Sequence, residues 1–328
     1  MTQAIHLPTL ARLTDRFRVV AVMDTDAEIA RDAAGRAGAK ATTSVADLLA
    51  DPAVDVVAIC SPHQFHAEQV EAVCAAGKRG ILCEKPLAVS RPQLDKIASA
   101  ATTTGTPIVV GAMHTYDPGW LAAVEECGPR FTEVHTVRST IVLPFNARFE
   151  DWATEVHRAA AAPTGTQTEP SARVRDLVLG LMVHDLPLVR VILPDVGRVD
   201  HASFVPPFGG TLALSGARGH CDLLAFMRPV WQPDWRLEAV ADDWSCTVSF
   251  TPSYVHAGSA TVEIRSASGV RRVGPWPSNG YEAEWVELHA VVAGGATPRY
   301  ALDGVLADMA FAMGVADDAV EQAHQKVA

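Results

Sequence analysis

The stretch VDVVAICSP at residues 54–62 decides the fold, because it is a valine-rich apolar run that ends in a small polar residue and a proline. Three further runs of this kind lie nearby, RVVAVMD at 18–24, GILCEKP at 80–86 and TPIVVGAM at 106–113. Helical segments of roughly 12–15 residues separate them, and this alternation indicates a parallel sheet covered by helices on both faces. We predict an α/β domain with a doubly wound parallel sheet of the Rossmann type.

The local signals change after Tyr116. Fewer helices are predicted there, at 173–193, 281–294 and 303–325, with a long loop at 144–172. Strands are predicted at 131–143, 198–226, 235–250 and 259–273, and such consecutive strands are typical of an open, largely antiparallel sheet. We predict two domains: a dinucleotide-binding domain at 1–117 and an α+β substrate or dimerisation domain at 118–328.

Composition limits the classes of function. The 328 residues are 48% hydrophobic and 20% charged, which is typical of folded domains with large cores. The net charge is −11 and no basic run is present, so we expect neither nucleic acid nor a membrane surface as a partner. No apolar stretch approaches the ~18 residues that span a bilayer. The six cysteines form no CxxC pair. We expect a cytoplasmic protein that acts on a small molecule.

The beginning of the chain departs from the usual dinucleotide-binding pattern. Such domains start with a strand, a glycine-rich turn and a helix whose N-terminus binds pyrophosphate. Here HLPTLARL at 6–13 has the pattern of the helix body, and the first glycine is Gly35. In the strand order 3-2-1-4-5-6 the strand before that helix is central. We expect that a start upstream of Met1 was lost, that another segment fills the gap, or that the domain has given up its cofactor.

Four motifs carry a family resemblance. They are VDVVAICSPHQFHAEQV at 54–70, CEKPLAVS at 83–90, MHTYDPGW at 113–120 and GLMVHDLPLVR at 180–190. In this order and spacing the chain resembles the Gfo/Idh/MocA oxidoreductases, named for glucose–fructose oxidoreductase, inositol dehydrogenase and a rhizopine-catabolism protein. The resemblance extends from about residue 5 to 315.

By this resemblance Lys85 faces the substrate carbon that exchanges hydride with a nicotinamide. A physical argument that does not use the family also favours a functional Lys85, because a lysine at the carboxyl end of a parallel strand lies where such sheets bind ligands. Partial burial lowers its pKa, so that it can hold or pass a hydroxyl proton. The alternative is a strand-end lysine that reaches solvent. Glu84 is expected to anchor backbone or the cofactor amide, and Pro86 to fix the turn, which the family often makes with a cis bond.

His184 is the expected acid/base residue, and a buried histidine bonded to a carbonyl is the alternative. The family has an aspartate four residues before it, where this chain has Gly180. Asp176 is a candidate substrate residue, but eight helical residues would place it about 12 Å from His184 along the axis. Asp185 points about 100° away around a helix. The Lys–Asp–His set of the family is therefore incomplete.

The cofactor is expected to be NAD or NADP. Asp24, at the end of the second family strand, favours NAD because an acid there bonds the ribose hydroxyls and repels a 2′-phosphate. It could equally cap the following helix. The resemblance places three residues beside the nicotinamide ribose, Ser61, Pro62 and His66. It places two others, His114 and Tyr116, at substrate contacts, where packing is an equal alternative. We expect no metal site.

Three functions follow in order of preference. The first is an NAD(P)-dependent oxidoreductase acting on a secondary alcohol or ketone of a sugar, cyclitol or related metabolite, with Lys85 and His184 at the reacting oxygen. The second is a cofactor-independent lyase, hydratase or cyclase on the same scaffold. The third is a non-catalytic ligand-binding regulator. An open sheet in the second domain favours a homodimer or homotetramer.

Overall fold

The computed structural model describes residues 1–145, 156 and 170–325. Its described residues form two compact units. The first contains residues 1–111, 156 and 284–305, and the second contains 112–145, 170–283 and 306–325. Apart from its ends and Val156, the loop predicted at 144–172 lies outside the described residues.

The first unit is a Rossmann-type α/β domain, as predicted. Its strands are β1 (Ala21–Met23), β2 (Lys40–Thr42), β3 (Val56–Ile59), β4 (Gly80–Glu84) and β5 (Ile108–Gly111), and all their pairings are parallel. Its helices are α1 (Leu7–Leu10, preceded by a π-helical turn at Thr2–His6), α2 (Ala27–Ala37), α3 (Val45–Ala50), α4 (His66–Ala75, preceded by a 3₁₀ turn at His63–Phe65) and α5 (Arg91–Thr104).

Local sequence signals set the helix ends of this unit. The Asp26 side chain caps α2 by accepting from the backbone N–H groups of Glu28 and Ile29, and the helix ends at Gly38 with φ 65°. Ser90 caps α5 in the same way, and that helix has a proline in its first turn.

The parallel sheet is divided into two parts. One pairs β1 with β2, and the other has the order β3-β4-β5. In the order 3-2-1-4-5-6 the described strands occupy every position except the central one, between β1 and β3. The N-terminal residues Ala4, Ile5 and His6 are buried in helical conformation.

The second unit contains an eight-stranded sheet with the order β13-β12-β11-β10-β6-β9-β8-β7. The strands are β6 (Thr136–Leu143), β7 (Arg198–Phe204), β8 (Gly209–Ser215), β9 (His220–Met227), β10 (Asp234–Val240), β11 (Trp244–Ser249), β12 (Thr261–Ser266) and β13 (Gly269–Val273). Neighbours are antiparallel except for β6 and β9. This confirms the predicted, largely antiparallel sheet.

Short helices precede and follow β6: α6 (Met113–Tyr116), α7 (Pro118–Cys127), α8 (Pro170–Gly180) and α9 (Leu186–Ile192), with 3₁₀ turns at Gly128–Glu133 and Met182–His184. The last two helices are α10 (Gly280–Gly294) and α11 (Leu302–Gln325). Within the described ranges, no helix is both long and apolar enough to cross a membrane.

The single helix predicted at 173–193 is wrong. α8 ends at Gly180, Leu181 leaves helical geometry with φ −120°, and a 3₁₀ turn contains His184 before α9 begins. Pro187, in the first turn of α9, has no N–H and cannot continue the bonding of a preceding helix. The helical spacing used to relate Asp176 and His184 therefore does not apply.

Candidate functional site

Glu84 ends β4, the middle strand of the three-stranded sheet, and its side chain is buried. Its Oε1 atom contacts Nε2 of His6 at 2.8 Å. Its Oε2 atom accepts from the backbone N–H of Lys85 at 3.2 Å. The carboxylate is thus held at both oxygens, directly before the lysine that the sequence singles out.

The hydrogen bonds of His6 define its tautomer. The indole Nε1 of Trp285 lies 3.1 Å from Nδ1 of His6, and an indole N–H can only donate. Nδ1 is therefore the acceptor, so Nε2 carries the hydrogen and donates to Glu84. His6 was not among the site residues predicted from the sequence. The available signal was a histidine at the start of the amphipathic helix pattern HLPTLARL at 6–13.

The charge of Glu84 is stabilised by its neighbours. Burial raises the pKa of this carboxyl, but the hydrogen bond from His6 and the positive charge of Lys85 outweigh it and hold the pKa below its usual value. Gly111 pairs with Glu84 across β4 and β5, and a Cβ there would lie 3.1 Å from Cδ of Glu84. The glycine therefore leaves the space that the carboxylate occupies.

Lys85 follows the strand and is half-buried. The Lys85–Pro86 peptide bond is cis, in agreement with the resemblance. Burial lowers the pKa of the Lys85 amine, and Glu84 opposes this shift in part. An amine with a lowered pKa exchanges its proton more readily near neutral pH.

His66 connects the ends of β3 and β4. Its Nδ1 and Nε2 atoms lie 2.9 Å from the carbonyl oxygens of Pro86 and Ser61 respectively. Burial lowers the pKa of His66, although both carbonyls oppose the shift. The Ser61 hydroxyl donates to Gln69, and Pro62 is exposed beside it. Three of the residues predicted to bind cofactor therefore lie together at the carboxyl end of β3.

Asp24 lies beside a cavity of about 190 Å³ in the first unit. The cavity is lined by Met1, Thr2, Gln3, Ala4, Val22, Met23, Asp24, Ile29, Ala33, Cys60 and Val156. Oδ1 of Asp24 accepts from the backbone N–H of Asp26 at 2.9 Å. The helix cap itself is Asp26, so Asp24 does not fill the capping role that the sequence left open.

Glu284, in α10, is completely buried, and neither carboxyl oxygen has a hydrogen-bond partner among the described residues. Burial raises the pKa of Glu284 well above its usual value. An unpaired buried carboxylate would cost several kcal/mol, so the neutral acid is the stable form.

In the second unit Asp185 is fully buried and accepts three hydrogen bonds. The donors are Nδ1 of His114 at 3.2 Å, Nε1 of Trp235 at 3.0 Å and the hydroxyl of Ser139 at 2.7 Å. The His114 ring stacks on Phe250 with a centroid distance of 3.8 Å. This role of Asp185 was not predicted from the sequence.

His184 packs beside the same group of residues. Its ring centroid lies 5.9 Å from that of His114 and 5.2 Å from that of Trp235. Tyr116 is buried at the end of α6, whereas Asp176 is exposed on α8. The structure therefore brings His184 and His114 together and leaves Asp176 at the surface.

Comparisons with known proteins identify the family. The family described as an oxidoreductase family with an NAD-binding Rossmann fold, GFO_IDH_MocA, matches residues 1–112. Inositol 2-dehydrogenase 2 from Saccharopolyspora erythraea is 31% identical over 192 residues, which are 58% of this chain and 50% of that protein. Inositol 2-dehydrogenase 3 of the same organism is 39% identical over 35% of this chain and 34% of its own length.

Residues 1–112 are a Gfo/Idh/MocA domain.

The resemblance drawn from the motifs is thereby confirmed for residues 1–112. Beyond that domain, 1,5-anhydro-D-fructose reductase from Ensifer adhaerens is 25% identical over 85% of this chain and 82% of that protein. Solved structures show the same fold. UDP-N-acetylglucosamine 3-dehydrogenase from Acidithiobacillus ferrooxidans has a TM-score of 0.70 at 20% identity and covers 93% of this chain and 90% of that chain. A 3-ketoreductase from Actinomadura kijaniata, solved with NADP, has a TM-score of 0.70 at 18% identity and covers 92% of this chain and 89% of that chain.

The cavity beside Asp24 fits one part of the nicotinamide cofactor that the Gfo/Idh/MocA family implies. A carboxylate at the end of a parallel strand suits a ribose diol. The volume of about 190 Å³ is below the roughly 300–1,000 Å³ of complete ligand pockets, so this cavity suits the adenosine end rather than a whole dinucleotide.

Proposed function

We propose that the protein is an NAD(P)-dependent oxidoreductase that transfers hydride to or from a secondary alcohol or ketone of a sugar, cyclitol or related metabolite. The observation that carries this proposal is Lys85, placed after the buried Glu84 at the carboxyl end of a parallel strand. Its relatives support the substrate class, because their names specify inositol and 1,5-anhydro-D-fructose.

The nicotinamide, when bound, supplies or accepts the hydride. We assign its adenosine ribose to Asp24, and its nicotinamide end to Ser61, Pro62 and Glu84. His66 lies at the same end and holds the loop there, because both of its ring nitrogens lie against backbone carbonyls. Asp24 favours NAD over NADP.

Lys85 orients and polarises the reacting oxygen of the substrate. Its lowered pKa suits this role, because the amine can donate a hydrogen bond to a ketone oxygen and accept the proton of a hydroxyl. The buried Glu84 keeps a negative charge beside the amine and so limits how far the pKa falls. His184, in the second unit, takes the hydroxyl proton in oxidation and returns it in reduction. His114, Tyr116 and Asp176 are proposed substrate contacts.

The test combines cofactor binding with turnover. NAD⁺ and NADP⁺ are titrated by calorimetry, and nicotinamide absorbance is followed with myo-inositol, 1,5-anhydro-D-fructose and UDP-N-acetylglucosamine. We expect Lys85→Ala to lower kcat by about 10²–10⁴-fold while the protein stays folded. Lys96→Ala is the control, because that lysine is exposed and pairs with Glu71 at the surface.

Two results would overturn the redox proposal: folded protein that binds neither nucleotide, or a Lys85→Ala variant with normal turnover. The first would favour proton-transfer chemistry without a nicotinamide. The second would remove Lys85 from the reaction.

A further inference from the structure

The hydrogen bonds of Asp185 fix the orientation of one imidazole. A carboxylate only accepts, so Nδ1 of His114 carries the hydrogen that it shares with Oδ1 of Asp185 at 3.2 Å. The ring cannot turn freely, because one face stacks on Phe250 and its edge meets Trp235 at a centroid distance of 4.3 Å. Nε2 of His114 is left as the proton-accepting nitrogen.

We infer that His114 is a second acid/base group of the second unit and that Asp185 is its positioning residue. The substrate reaction in this inference rests on the proposed function. The geometry of the pair does not, since it is defined by the hydrogen bonds of the second unit alone.

The arrangement supplies what an acid/base histidine needs. In the oxidation direction His184 takes the proton of the substrate hydroxyl as its O–H bond breaks, the carbon–oxygen double bond forms, and the hydride leaves the same carbon for the bound cofactor. Nε2 of His114, whose ring centroid lies 5.9 Å from that of His184, then takes this proton from His184. Reduction reverses each transfer. The imidazolium formed in this step is paired with Asp185, which lies on the opposite side of the ring.

Two other donors, Ser139 and Trp235, also hold the Asp185 carboxylate. Both donate through neutral groups that cannot take up a proton in this reaction, whereas the His114 imidazole can. The chain has Gly180 where the family has its aspartate, and Asp185 provides a buried carboxylate for His114, 71 residues earlier. His184 lies beside this pair, with its ring centroid 5.9 Å from that of His114.

The first measurement determines the tautomer by ¹⁵N NMR of histidine-labelled protein, with His114 assigned from the His114→Asn spectrum. We expect the hydrogen on Nδ1 in the wild type and its transfer to Nε2 in Asp185→Asn, because the amide can donate to Nδ1. Wild-type protein with the hydrogen on Nε2 would overturn the inference.

The second measurement uses kcat and KM. His114→Asn keeps a donor in the place of Nδ1 and removes Nε2, so the bond to Asp185 persists while the proton acceptor is lost. We expect kcat to fall by about 10²–10⁴-fold with KM little changed. Ser139→Ala removes one donor from the same carboxylate, and we expect kcat to fall by less than about tenfold.

His114→Asn with wild-type kcat would overturn the catalytic role, and a rise in KM alone would reduce His114 to a substrate contact. If the wild type binds no nicotinamide nucleotide and shows no turnover, the proposed function fails. The tautomer measurement needs neither cofactor nor substrate, so it still supports or overturns the positioning by Asp185.

Discussion

The indole nitrogen of Trp285 donates a hydrogen bond to Nδ1 of His6 at 3.1 Å, across 279 positions of the chain. Nε2 of His6 then donates to the buried Glu84, and Glu84 accepts from the backbone of Lys85. This series of bonds fixes the end of β4. It also stabilises the ionised form of Glu84, a carboxyl whose burial alone would favour the neutral acid.

Removing the first donor of the series should destabilise the protein modestly. Trp285→Phe deletes the N–H together with part of the buried ring, so we expect a loss of about 1 kcal/mol in the free energy of unfolding beyond that of a tryptophan-to-phenylalanine control without this bond. His6→Ala leaves the buried carboxylate with its backbone donor alone, and we expect about 3–5 kcal/mol. Urea unfolding measures both.

Trp120→Phe is the matched control, because Trp120 is buried and its indole nitrogen has no hydrogen-bond partner among the described residues. Trp120→Phe therefore reduces packing but deletes no hydrogen bond to a described residue. If Trp285→Phe proves no more destabilising than Trp120→Phe, the bond to His6 contributes nothing measurable.

Glu284 should make stability depend on pH. The folded-state pKa of Glu284 is raised, so Glu284 reduces the free energy of unfolding least at pH values below the pKa of a carboxyl in the unfolded chain. As the pH rises from there, the unfolded state ionises first and stability falls, until the folded-state pKa is passed. We expect Glu284→Gln to remove this decline. The free energy of unfolding of the variant should therefore rise relative to that of the wild type between about pH 4 and 7. Unfolding free energies across this range measure the difference.

Glu133→Gln gives the opposite sign and serves as the control. Hydrogen bonds from Arg130 and then Trp244 lower the pKa of Glu133, so its stabilisation is present above the unfolded pKa and is lost as the pH falls. A constant difference between Glu284→Gln and the wild type at every pH would contradict the raised pKa of Glu284.

Gly111 should tolerate no side chain. An added Cβ would lie 3.1–3.2 Å from Cδ, Cα and Oε2 of Glu84, and two of these atoms are held by the strand and by hydrogen bonds. We expect Gly111→Ala to cost about 1–3 kcal/mol of unfolding free energy.

Gly35→Ala is the control for that substitution. Gly35 lies inside α2 with nothing within 4 Å of the added Cβ, so the change should stabilise by about 0.5–1 kcal/mol. Equal effects of the two alanines in thermal unfolding would mean that the strand shifts to accommodate residue 111.

Local signals in the sequence predicted the fold well. Ser90 at the start of α5 and Gly38 after α2 act within a few residues, and each sets a helix end. The prediction failed at 173–193, where apolar periodicity continued through Gly180 and Pro187 although the backbone leaves the helix between them. Periodicity reports which residues are buried but does not require one continuous helix.

The contacts of the candidate site could not be predicted in the same way. His6 and Glu84 are 78 positions apart, and His114 and Asp185 are 71 apart. No sequence period encodes either pair, because folding brings them together through packing of separate elements. Lys85 was identified because its motif is local. The roles assigned to it and to the other site residues stay predictions.

Asp24 should set the preference between the two nicotinamide nucleotides. Its carboxylate would repel the 2′-phosphate of NADP, so Asp24→Asn should raise the affinity for NADP relative to NAD by roughly tenfold. Calorimetric titration of both nucleotides gives the ratio. Asp26→Asn makes the same charge change two residues later, at the cap of α2, where asparagine caps as well as aspartate. It should leave the ratio unchanged. An equal shift in both variants would attribute the effect to net charge, and an unchanged ratio in Asp24→Asn would remove Asp24 from the ribose site.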